Sequence, residues 1–159
     1  MHRAHLMILA LLVLWLAPPA QADGNSPWGP APVAGRDYNK LKVVFDVTSD
    51  SLAYLTSVLD RASYLSILNG ADPFGGKIVL VIHGDAIPLF GARNYSKYKA
   101  VMDRAQSLSV GDVVEFRMCQ LAAKSAGLMP RDIHGFVTMV PMGDAEIIQL
   151  QQQGFSYMR

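Results

Sequence analysis

Apolar residues along the chain fall into two kinds of run, and the two kinds alternate. The first kind is short, nearly continuous and rich in β-branched residues. It occurs at Leu41-Lys42-Val43-Val44-Phe45-Asp46-Val47, at Lys77 to His83, at Val113 to Met118 and at Phe136 to Val140. Such runs suit strands covered on both faces. The second kind recurs at three and four. Leu52, Leu55, Leu59, Ala62, Leu65 and Leu68 form one helical face, and Tyr98, Val101, Met102, Ala105 and Leu108 form another. Two shorter helices are expected over about Gln120 to Ala126 and Asp144 to Gln153, closed by Gly127 and Gly154. Phe155 to Met158 adds a short last strand. Ser49 or Asp50 is expected to cap the first helix, and Gly84 to Arg93, with Pro88 and Gly91, reads as a loop.

The resulting order, β-α-β-α-β-α-β-α with a final β, predicts an α/β fold. Right-handed crossovers make it a three-layer α/β/α domain with a mainly parallel, doubly wound sheet of about five strands. In the third strand Glu115 and Arg117 alternate with Phe116 and Met118, so one sheet face is wetter there or meets a partner.

The N-terminus does not fit this pattern. Arg3 with His2 and His5 precedes the apolar run Leu6 to Leu16, Pro18-Pro19 breaks it, and Ala20-Gln21-Ala22 is a small-x-small cleavage site. The run is too short for a bilayer, which needs about 20 residues. It reads as an export signal over residues 1–22, placing the mature protein outside the cytoplasm, in the periplasm if the source is a Gram-negative bacterium. Residues 23–39 are rich in Gly, Pro and Ala and read as a flexible arm, leaving 40–159 as one domain. Removal of Arg3 leaves 13 basic against 13 acidic residues. Without a basic block, neither nucleic acid nor an anionic membrane surface is an expected partner.

Candidate chemistry gathers at strand ends, where open α/β sheets bind ligands. Asp46, His83, Cys119 and Pro141 all lie near such ends. Cys119, the only cysteine, sits where the third strand runs into a helix, and so faces backbone amides and the positive end of the helix dipole. With no second cysteine it is buried, paired with another chain, or reactive. His83 is its candidate acid–base partner, with Asp46 or Asp85 to orient the ring and Gly84 between them at the strand end. His83 suits a polar role at the strand end equally well, and for Asp46 capping of the first helix is the favoured reading. One Cys with His83 and His134 has no zinc-ligand spacing, and the late methionines Met118, Met129, Met139 and Met142 read as packing rather than as copper ligands. No metal or cofactor is expected, and no nucleotide-binding glycine motif occurs.

The strand Lys42 to Val47, the stretch Leu80-Val81-Ile82-His83-Gly84-Asp85-Ala86, the cysteine at the third strand–helix joint and Gly143 to Gly154 together resemble the DsrE/DsrF-like family, and within it an exported, uncharacterised branch. The resemblance implies a fold related to the flavodoxin-like doubly wound sheet and assembly into dimers, trimers or hexamers. It also implies a cysteine that carries sulfur as a persulfide in a relay, a role that only Cys119 can take here. Partners would then be a sulfur donor or acceptor protein or a small inorganic sulfur species. The family's relays act in the cytoplasm, so export excludes tRNA thiolation and calls for a source such as thiosulfate or sulfide. The rival reading is a non-catalytic oligomeric module in which Cys119 is structural.

Overall fold

The computed structural model describes residues 27–159 apart from Asn39, Pro73 and Gly75. The leader expected over residues 1–22 lies outside the described residues. Residues 27–36 form no helix or strand. Asp37–Arg159 form one compact unit.

Within this unit the strands are β1 (Lys42–Val47), β2 (Lys77–Ile82), β3 (Val114–Cys119), β4 (Val137–Val140) and β5 (Ser156–Met158). The helices are α1 (Leu52–Leu68), α2 (Tyr95–Ser109), α3 (Gln120–Ser125) and α4 (Gly143–Gln152). The sheet order is β4-β3-β2-β1-β5, and every pairing is parallel. Thus the sheet is wholly rather than mainly parallel. Among the described residues no helix is long and apolar enough to cross a membrane.

Two local expectations are corrected. Ser51, not Ser49 or Asp50, caps α1, because its side chain accepts the Tyr54 amide. Gly84–Phe90, expected as a loop, is a 3-10 helix whose Ala86, Ile87, Leu89 and Phe90 are buried in the core. Gly84 begins it at φ +57°, a backbone conformation that glycine adopts without a Cβ penalty.

Strand periodicity divides the apolar side chains between two faces. Phe45, Leu80 and Phe116 join Leu55, Leu59 and Met102 in the larger core, under α1, α2, α3 and the 3-10 helix. The opposite face is covered by α4, whose Ile147 and Leu150 pack with Val44, Val79, Val81 and Phe155. Thus the chain leaves β3 toward one face and leaves the neighbouring β4 toward the other. This is a topological switch point, the place where open α/β sheets bind their ligands. Cys119 ends one of these strands, and Pro141-Met142 leads from the other into α4.

Candidate functional site

Alternation places Asp46, His83 and Cys119 on the α4 face, each in line with the residues of its strand that face α4. The sheet order then sets them side by side at the carboxyl rim, on β1, after β2 and on β3. His83 Nε2 lies 2.6 Å from Asp46 Oδ1, both side chains being largely buried. An ionised Asp46 only accepts, so the imidazole donates from Nε2 and a neutral ring keeps Nδ1 as its proton acceptor.

Cys119 and His83 both border Gly143, the first residue of α4. A Cβ at Gly143 would lie 3.3 Å from Cys119 Cβ and 3.4 Å from His83 Cβ and Cγ. Glycine therefore lets the helix start against both side chains. Cys119 is 6 % exposed, and its Sγ accepts from the Ala122 amide at 3.4 Å, capping α3.

Two tyrosines hold Asp46. Tyr54 of α1 donates to its main-chain carbonyl at 3.0 Å, and Tyr157 of β5 donates to Oδ2 at 2.6 Å. Burial, then the nearby Asp46 charge, raises the Tyr54 pKa. The hydrogen bond to Asp46, then burial, raises that of Tyr157. Both phenols thus remain protonated donors at neutral pH. Tyr157 was not a sequence candidate, because no local pattern reveals that β5 lies beside β1.

Gly84 and Asp85 do not join this cluster. They line a separate hollow of about 330 Å³ with Asp50, Pro88, Leu89 and Tyr98. Asp46, not Asp85, is the group paired with His83. Among the described residues no three His, Cys, Asp or Glu side chains converge as metal ligands.

The wetter face of β3 is an ion-pair chain. Arg117 binds Glu115 through Nε at 3.0 Å and Glu146 in the first turn of α4, and Lys77 binds Glu115. Arg117 so ties the start of α4 to β3, two residues before Cys119. Burial works to raise the Glu115 pKa, but hydrogen bonds from Lys77 and Arg117 outweigh it, and the net value falls below the ordinary 4.5. Its stabilising contribution is therefore complete above that value and lost as pH falls through the lower folded one. Urea-unfolding midpoints measured from neutral pH into acid should fall in that range, and Glu115→Gln should lower the neutral midpoint and flatten the acid decline.

No curated protein sequence matches the chain. Among solved structures, a protein of unknown function from Methanobacterium thermoautotrophicum is similar, with a TM-score of 0.62 and 21 % identity over 76 % of this chain and 99 % of that one. That likeness extends to the fold. The sequence profile of the DsrE/DsrF-like family matches residues 42–159, from the first residue of β1 past the end of β5. The α/β domain that carries Asp46, His83 and Cys119 therefore belongs to the DsrE/DsrF-like family.

Proposed function

We propose that this protein is an exported sulfur carrier that holds sulfur as a persulfide on Cys119, within an exported branch of its family. The observation that carries the reading is that Cys119 and the Asp46-paired His83 both border Gly143 at the start of α4. Family membership supports a sulfur-relay role in the coarse sense. The leader-like residues 1–22 support export, and periplasmic location if the source is Gram-negative.

The step balances without an outside oxidant when the donor already holds sulfane sulfur. Cys119 gives its thiol proton to His83, and its thiolate attacks the outer sulfur of thiosulfate. The new S–S bond forms as the donor's S–S bond breaks, with the electron pair leaving on sulfite. A protein persulfide could replace thiosulfate as donor, leaving as a thiolate. Acceptance by a second thiolate reverses the same chemistry. Assembly into a homo-oligomer is part of the proposal, supported by the ion-paired β3 face, which α4 only partly covers.

The rival reading has its own observation, the bond from the Ala122 amide to Cys119 Sγ, which suits an inert helix cap in a binding or accessory module. Intact mass separates the two. Mature protein exposed to thiosulfate or a low-molecular-weight persulfide should gain one sulfur atom, removable by reductant and located on the Cys119 peptide. An unchanged mass with both donors would overturn the carrier reading in favour of the module.

A further inference from the structure

Four adjacent strands contribute to one row on the rim: Tyr157 from β5, Asp46 from β1, His83 after β2 and Cys119 from β3. Its first link is independent of the cysteine. Tyr157 is paired in register with Val44, a residue of the α4-side core, so both present side chains to that face. Asp46 lies two residues further along β1, a step of about 6.6 Å in an extended strand. The phenol spans this step, and its hydroxyl reaches Oδ2.

An aspartate carboxylate rotates about a soft terminal torsion with two broad minima. With His83 on Oδ1 alone, that rotation would carry the acceptor away from the imidazole. A donor on Oδ2 fixes the carboxylate plane from the other side, while Tyr54 fixes the carbonyl of the same residue. We propose that Tyr157 is a positioning residue, holding the Asp46 carboxylate so that His83 keeps its Nε2 proton on Asp46 and presents Nδ1 as the acceptor for the Cys119 proton. It acts through Asp46 and touches neither the thiol nor the sulfur donor. The inference rests on the sulfur-carrier reading for its role, but the positioning can be measured without sulfur transfer.

The test compares wild type, Tyr157→Phe and Asp46→Asn as mature proteins. Four quantities are read: the rate of Cys119 alkylation by iodoacetamide against pH, sulfur loading from thiosulfate, the thermal midpoint, and phenol absorbance against pH. Tyr157→Phe removes only the hydroxyl. It should slow loading about tenfold, the scale of one charge-assisted hydrogen bond, and shift the alkylation profile toward that of Asp46→Asn. The phenol absorbance supplies a direct signature, because Tyr157 should titrate above the usual tyrosine range in wild type and return to it in Asp46→Asn. A purely structural tyrosine would change the thermal midpoint and leave the alkylation profile on that of wild type. That result would overturn the proposal, as would an Asp46→Asn profile identical to wild type. If wild type takes up no sulfur while the alkylation profiles still diverge, the carrier reading fails and the positioning of His83 by Tyr157 stands.

Discussion

Cys119→Ser is expected to abolish sulfur loading while leaving the domain folded. Serine cannot form a persulfide, and its hydroxyl has none of the nucleophilicity of a thiolate at neutral pH. What makes the variant informative is the second role of the position. Cys119 caps α3 by accepting the Ala122 amide. Serine is among the preferred residues for that role, and cysteine is not. The substitution should therefore keep or slightly improve the start of the helix. Removal of the thiol is then the only large change. Circular dichroism and the thermal midpoint should match wild type, and mass spectrometry should detect no added sulfur. Loading equal to wild type in Cys119→Ser would place the sulfur elsewhere and end the carrier reading.

The next largest effect is expected at Gly143. This position needs glycine for space, since a Cβ would already press on Cys119 and His83 at 3.3–3.4 Å. Alanine demands a displacement of a few tenths of an ångström, and valine demands more because its two methyl groups point into the same gap. Displacing a reacting group by about 1 Å can cost about 10²-fold in rate. Gly143→Val should therefore reduce loading by about that factor, with Gly143→Ala between it and wild type. The graded series separates steric displacement from a general loss of fold, because Ala is otherwise the better helix former by about 1 kcal/mol. Equal loading by all three proteins would show that the start of α4 does not shape the site.

The helices and strands were legible because each buried face repeats at its own period. Leu55, Leu59 and Ala62 are buried at the expected helical spacing, while Leu52 and Leu68 at the ends of α1 are exposed and Val58 joins the buried face. Ile78 to Ile82 is apolar on both faces because helices cover both. The loop expected at Gly84 to Arg93 failed for a physical reason. Gly84 and Pro88 are turn residues, yet Ala86, Ile87, Leu89 and Phe90 between them are core residues, and 3-10 geometry satisfies both demands. Asp46, His83 and Cys119 were identifiable because parallel topology brings strand ends to one rim. Tyr157 and Gly143 depended on facts the pattern does not encode: that β5 returns beside β1, and that α4 starts against β2 and β3. Both follow from strand order, which periodicity leaves undetermined.

The pairing of β5 with β1 also governs when the site can exist. Tyr157 and Asp46 are 111 residues apart in sequence, the longest reach among the contacts that build the rim. Contacts of such separation form late, because the chain between them must be ordered first. β1 to β4 can pair successively through local crossovers, which sets Asp46, His83 and Cys119 side by side before α4 and β5 dock. Asp46, His83 and Cys119 thus precede Gly143 and Tyr157, which complete the rim. A chain shortened before β5 would present Asp46, His83 and Cys119 without Tyr157, so the complete row is a property of the finished domain.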